Sequence, residues 1–245
     1  MWRNQALPFA RRVERALRVY GPAGTARRGW RALRSLPVER RLAERDRFDE
    51  ETGVVTAGVV RLESLSVPAE NRRLGHRYQP SDPETLRRTI AALPIRHEEF
   101  AFVDVGSGKG RALLVASEFP FERILGVELS EELNEIALRN IEAYSSPAQR
   151  CRTIEAVCAD AAEYELPGLP LVLYFYNPFL EPVMRRVMAN VGSSLAARPR
   201  PAYVVLTQDT PLGAIVVEAG FVRCADLAAT TTDAIYVSVA SAPGP

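Results

Sequence analysis

The residue types able to do chemistry are concentrated between Asp104 and Phe179. Asp104 closes a short apolar run, Phe102-Val103-Asp104-Val105, and glycines follow at alternate positions, Gly106, Gly108 and Gly110, with Ser107 and Lys109 between them. Ala112-Leu113-Leu114-Val115-Ala116-Ser117 then continues without Gly or Pro, as a buried helix does. The stretch reads as strand, glycine turn and helix. Glycines have no side chain to clash and reach positive φ, while a helix N-terminus offers unpaired N–H groups, so a nucleotide-like ligand is the natural guest. A phosphate-cradling P-loop would need Gly where Val103 stands and Ser or Thr where Gly110 stands, and a dinucleotide fingerprint would need its third glycine one residue later.

Three later positions carry further chemistry. Glu128 ends an apolar run, Arg123-Ile124-Leu125-Gly126-Val127, 24 residues after Asp104. That is near the interval at which an acid at the end of a second strand meets a ribose; a helix N-terminal acid before Ser130-Glu131-Glu132 is the alternative. Asp160 follows Ile154-Glu155-Ala156-Val157-Cys158 and is either a ligand-facing acid or the N-cap of a short turn. Leu171-Val172-Leu173-Tyr174-Phe175-Tyr176 runs straight into Asn177-Pro178-Phe179. An Asn side-chain oxygen and neighbouring carbonyls can accept the hydrogens of an amine and aim its lone pair while an aromatic face steadies it. A capped turn into the next helix would look the same.

The run Asp104-Val105-Gly106-Ser107-Gly108-Lys109-Gly110 closely resembles motif I of class I S-adenosylmethionine (SAM)-dependent methyltransferases, and Gly126-Val127-Glu128-Leu129-Ser130 resembles the second-strand element of that family. The resemblance implies SAM as methyl donor and S-adenosylhomocysteine as product. It implies that Gly106, Ser107, Gly108 and Gly110 bed the cofactor, that Asp104 holds its amino-acid end, and that Glu128 and Leu129 meet the ribose. Asp160 and the Ala161 backbone would face the adenine. Asn177-Pro178-Phe179 partly resembles the Asn-Pro-Pro-Tyr motif of amino-group methyltransferases but lacks its second Pro, and looks nearer to non-SET protein-lysine methyltransferases. Asn177, Pro178 and Phe179 are therefore the candidate catalytic residues, Asn177 also bordering the cofactor. Tyr78, in Tyr78-Gln79-Pro80-Ser81, resembles the preceding-loop element of those lysine enzymes. Tyr78 and Tyr176 are candidate lid or substrate residues, a packed Tyr with its hydroxyl bonded to a loop being the other reading of Tyr78.

The elements needed to position these residues follow from the pattern. From Phe100 onward strand-like and helix-like stretches alternate, which predicts an α/β fold with a doubly wound parallel sheet, and the resemblance implies the mostly parallel seven-stranded sheet of the class I methyltransferase type. Phe221–Arg223 and Ile235–Val239 are expected as the terminal antiparallel pair. Residues 1–47 read as a basic helical extension, residues 48–99 as a connecting region with a pre-motif helix capped by Ser81 or Asp82, and residues 100–245 as the SAM-binding domain. The first 34 residues hold nine Arg against the single acid Glu14, with Phe9, Val13, Leu17 and Tyr20 at helical spacing. Such an arm suits nucleic acid, an anionic membrane face, an acidic partner or a solvated helical cap.

Composition bounds the rest. A 245-residue chain with 47% hydrophobic and 25% charged residues and a formal net charge of +1 is that of a globular protein with a substantial core. Nothing approaches 18 consecutive apolar residues and no signal core opens the chain, so no transmembrane helix and a cytoplasmic residence are expected. Lys109 is the sole lysine, a bias that a GC-rich genome would also produce. Cys151, Cys158 and Cys224, with only His76 and His97, show no zinc-ligand spacing and are expected to be core thiols, with no metal. The leading expectation is methyl transfer to an amine, on a protein lysine or a small molecule. The rivals are a non-catalytic SAM-sensing or nucleic-acid-binding module and, more distantly, a nicotinamide oxidoreductase. The sequence does not identify the methyl acceptor.

Overall fold

Runs of β-branched and aromatic residues form strands because their stiff side chains pack on a pleated surface. Seven do so in the computed structural model, which describes residues 22, 46–207, 212–228 and 233–238, apart from the side chain of Glu70. The helices expected in the basic arm lie outside the described residues. The strands are β1 (Ala101–Val105), β2 (Arg123–Glu128), β3 (Ile154–Cys158), β4 (Leu171–Phe175), β5 (Ala202–Leu206), β6 (Phe221–Arg223) and β7 (Ala234–Ser238). They form one sheet in the order β3-β2-β1-β4-β5-β7-β6. β1 to β5 pair in parallel, and β7 runs antiparallel to both β5 and β6. The doubly wound parallel sheet and its antiparallel C-terminal pair are thus as expected.

Side chains alternate across a strand, so the central strands feed two separate cores. Phe102, Val172 and Tyr174 pack with Leu86 and Ile90 of α3 (Pro83–Ala92), with α4 (Arg111–Ala116) and with Ala137 of α5 (Glu131–Ala143). Ala101, Val103, Val105, Leu173 and Phe175 pack on the other face against Met184, Val187, Met188 and Val191 of α6 (Glu181–Ala197) and Ile215 and Val216 of α7 (Leu212–Glu218). A four-residue helix, α8 (Ala225–Ala228), joins β6 towards β7. Every residue of β1 and β4 is buried, which explains why both read as near-continuous apolar runs. Asp104 is the single charge in those two strands.

The caps follow sequence rules. Asp82, rather than Ser81, caps α3 by accepting from Thr85 N–H, with Pro83 in the first turn, and Ser130 caps α5 through Leu133 N–H. α6 runs past the Val191 at which the sequence reading ended it. The Arg200 guanidinium donates to the Ser194 and Arg198 carbonyls, satisfying orphan acceptors at the helix end.

Residues 46–99 hold two further helices that the sequence reading did not foresee, α1 (Arg47–Thr52) and α2 (Ala69–Leu74). They are integral to the packing, since Phe48 and Val54 belong to the same core as Phe102. Of the three cysteines only Cys151 is buried. Cys158 is exposed at the open end of edge strand β3, which corrects the expectation that all three are core thiols. No described helix is long and apolar enough to cross a membrane.

Candidate functional site

From β1 the sheet is built one way through β2 and β3 and the other way through β4 and β5, so a crevice opens at the carboxyl ends of β1 and β4. Ligands bind at such switch points because no crossover covers them. One cleft lies there. Asp104, Gly106, Ser107, Gly108, Glu128, Leu129, Asp160, Ala161, Tyr176, Asn177, Pro178, Phe179 and Tyr78 all line it, so every expected site residue except Gly110 meets at one place. Gly110 serves the same loop from behind as the N-cap of α4, with its missing Cβ facing Ala137.

The glycine loop is held by backbone bonds. Gly106 N–H and Ser107 N–H both donate to the Val127 carbonyl, at 2.8 and 3.2 Å, and Gly108 N–H donates to Glu128 Oε2 at 2.8 Å. Glu128 Oε1 accepts from Ser130 N–H at 2.7 Å. Glu128 therefore ties the end of β2 to the loop, and each oxygen keeps a lone pair for a further donor such as a ribose hydroxyl. Burial pushes its carboxyl up, partly offset by those N–H bonds. Asp104 is pushed up to about 8 by burial and by the nearby Glu128 charge. Two buried carboxylates beside each other favour a cation or hydrogen-bond donors between them. The Ser107 hydroxyl, also in the cleft wall, is buried without a hydrogen-bond partner. A buried polar atom without a partner costs free energy that a ligand can recover.

The roof of the cleft comes from both flanks. The Cδ2–Cε2 edge of the Tyr78 ring abuts Gly108, where an added Cβ would clash with both atoms, and Pro178 lies against Gly106, where a Cβ would approach Pro178 Cβ to 2.5 Å. These two glycines, at φ +53 and +83, thus accommodate the roof as well as any ligand, which the motif alone did not disclose. The Tyr78 hydroxyl donates to the Thr56 carbonyl at 2.5 Å, so the tyrosine is both the cover of the loop and the anchored ring of the alternative reading. The rim strand is pinned to the Asn177 loop: Gly75 bridges Phe179, His76 N–H donates to the Pro178 carbonyl at 3.0 Å, and Leu180 N–H to the Leu74 carbonyl at 2.7 Å.

Asn177 is exposed and has φ +48, alone among described non-glycine residues in positive φ. Asn tolerates this conformation better than most side chains, and such strain clusters at functional sites. Pro178 contributes to it by excluding the helical region for the residue before it. Phe179 is buried edge-on against Phe175, which leaves the half-buried Tyr176 as the more available aromatic surface. Gln79 and Ser81 stand beside the Tyr176 and Tyr174 hydroxyls and were missed as site residues, although both belong to the quoted Tyr-Gln-Pro-Ser run. Asp160 reaches the cleft wall, but its Oδ1 accepts from Ala162 N–H at 2.9 Å and its Oδ2 pairs with Arg186 at 3.3 Å. Its carboxylate thus also holds the local turn that the alternative reading described.

A buried polar network behind the loop had no signal in the sequence. Asp49 accepts from Thr56 N–H, Thr56 Oγ1 and Ala57 N–H. Arg111, 5% exposed, donates to Thr56, Asp46 and Asp49. Asn140 donates to the Val55 and Lys109 carbonyls and accepts from Val55 N–H, and Lys109 Nζ donates to the Ala57 carbonyl. Partners 7 to 85 residues apart leave little local pattern to read. Among the described residues no cluster of three or more His, Cys, Asp or Glu could hold a metal ion.

No protein-family model and no curated protein matches the chain. Solved structures similar to it include an RNA methyltransferase from Salinibacter ruber in complex with S-adenosyl-L-homocysteine, at 17% identity and a TM-score of 0.42, covering 68% of this chain and 96% of that one. The glycopeptide N-methyltransferase MtfA is similar at 15% identity and a TM-score of 0.48, covering 65% and 90%. A ribosomal protein L11 methylase from Lactobacillus delbrueckii subsp. bulgaricus is similar at 11% identity and 0.44, covering 67% and 80%. The strand order and the antiparallel end of the sheet place this chain in the Rossmann-like fold class of the class I methyltransferases.

Proposed function

We propose that the chain is a SAM-dependent methyltransferase acting on an amine, of a protein lysine or of a small molecule. The observation that carries this reading is the convergence of Asp104, Glu128 and the positive-φ Asn177 on one cleft at the switch point. The residues present fit the donor. Asp104 suits the cationic amino-acid end, the unpartnered Ser107 hydroxyl offers a hydrogen bond, Glu128 suits ribose hydroxyls, and Leu129, Asp160 and Ala161 border the adenine. When bound, SAM supplies an electrophilic methyl group on a sulfonium.

The protein's own task is positional. An in-line displacement needs the acceptor lone pair held opposite the sulfur, about 3 to 3.5 Å from the methyl carbon. Asn177 Oδ1 and the carbonyls beside it accept N–H hydrogens and turn the lone pair forward, and Tyr176 flanks the acceptor. A charged amine has no lone pair, so a low-dielectric surround that favours the neutral form assists transfer.

Isothermal titration of the full chain with SAM, S-adenosylhomocysteine and NAD tests the donor. Binding of the sulfonium pair alone, lost in Gly106→Arg and Glu128→Ala, is expected; binding of NAD, or of none of the three, overturns the reading. Asn177→Ala is expected to lower turnover about 100-fold, the order seen when one positioned transition-state contact is lost, with SAM affinity changed less than threefold. Equal loss of both would remove Asn177 from the acceptor side.

A further inference from the structure

The outer face of the cleft's roof carries arginines that no described side chain pairs. Arg61, Arg72 and Arg77 line an open recess of about 480 Å³ that shares Leu62, Gly75 and Arg77 with the cofactor cleft; Glu63 is the only acid in its lining. All three arginines are exposed, and none forms a salt bridge or a side-chain hydrogen bond with a described residue. Several guanidinium groups elsewhere are paired with acids: Arg87 with Glu118, Arg123 with Glu155, Arg185 with Glu181 and Glu218, Arg186 with Asp160. Unpaired arginines gathered at a cleft mouth raise the local concentration of anions and repel cations.

Two features tie this charge to the site. Arg77 lies between His76 and Tyr78 on the strand that bridges to the Asn177 loop, so the recess and the proposed acceptor position share one rigid rim. The Arg-rich extension, thirteen Arg against four acids over residues 1–47, joins the described body at Asp46, which pairs with Arg111 of the cleft lining at 2.7 Å.

We infer that the methyl acceptor carries phosphate, which docks on the Arg61, Arg72 and Arg77 rim while the reacting amine reaches Asn177. The inference rests on the methyltransferase reading and narrows it: a Lys-rich peptide acceptor meets like charge at the mouth, whereas a guanidinium fork matches phosphate oxygens two at a time. The phosphate belongs either to a nucleic-acid strand or to a small phosphorylated amine.

The test uses the full chain, with Arg61→Ala/Arg72→Ala, the single variant Arg77→Glu, and Arg150→Ala/Arg152→Ala as a surface control. A labelled 12-nucleotide single strand, inorganic phosphate and a poly-glutamate peptide are titrated against each, and SAM is titrated separately. For a strand, each phosphate contact contributes about −0.7 to the slope of log K against log salt. The rim double variant is then expected to lose about tenfold in affinity and about 1.4 in slope, Arg77→Glu to lose at least as much affinity, and the control to match wild type. Binding of the strand alone assigns the phosphate to nucleic acid, and rim-dependent binding of inorganic phosphate to a small acceptor. Unchanged binding in both rim variants, or poly-glutamate binding tighter than either phosphate probe, overturns the inference. Failure to bind SAM with rim-dependent phosphate binding intact would overturn the methyltransferase reading and leave the rim standing.

Discussion

Asp104 is the residue on which pH dependence should turn. Its carboxyl is raised to about 8 against about 3.9 in an unfolded chain, so the folded protein holds a proton near neutrality that the unfolded chain has released. For this group, stability is greatest below about pH 4 and declines as pH rises towards 8, where the folded group also ionises. A cationic ligand end stabilises the carboxylate and lowers that value. SAM binding at pH 7 is therefore expected to release a proton and to tighten as pH rises through 8. Titration calorimetry in buffers of different ionisation enthalpy measures the proton, and Asp104→Asn should abolish its release. Binding with no change in protonation would show that Asp104 does not contact the charged end. The position of this acid was legible, because a charge ending an apolar run before glycines stands out. The elevation of its pKa was not, since it comes first from complete burial and then from the Glu128 charge, which the pairing of β1 with β2 brings alongside.

At the scale of elements, the pre-motif segment is bolted to the glycine loop by charge as well as by apolar contact. Asp49 is fully buried and Arg111 nearly so, and removal of one partner from a buried pair leaves the other uncompensated, at about 3 to 5 kcal/mol. Asp49→Ala is expected to lower stability by that amount in urea unfolding and to raise amide exchange over residues 54–57. A loss below about 1 kcal/mol would mean that water replaces the lost carboxylate. Gly108→Ala tests the roof directly, because it forces a Cβ against Tyr78 at a positive φ. Destabilisation of about 1 to 3 kcal/mol is expected, reduced when combined with Tyr78→Ala; strictly additive losses would show that the ring is not the obstacle. The Asp49 network escaped the sequence reading because Arg111 and Asn140, which close it, lie 62 and 85 residues from their partners Asp49 and Val55.

For the whole molecule, a ligand bound only by the folded chain stabilises by mass action, about 2.7 kcal/mol at a hundredfold excess over Kd. Thermal unfolding with SAM or S-adenosylhomocysteine should shift upward by several degrees, and NAD should leave the transition in place. Equal shifts with all three would point to an unselective nucleotide cleft. The doubly wound parallel sheet was readable from the alternation of apolar runs, and its antiparallel end was implied by the resemblance to class I methyltransferases, whereas the strand order came only from the structure.

The amino-acid sequence by itself determined the strands, most caps, and a glycine turn flanked by two acids and followed by an Asn-Pro loop. These are local matters, set by side-chain shape, backbone freedom and spacing along the chain. Only the tertiary structure decided that Tyr78 and Pro178 roof the glycines, that Asn177 takes a positive φ, that Asp160 shares its carboxylate with Arg186, and that the rim arginines gather beside the cleft without an acid partner among the described residues. Each of those depends on which distant segment arrives at a given surface and what charge it brings, and no period in the sequence records that.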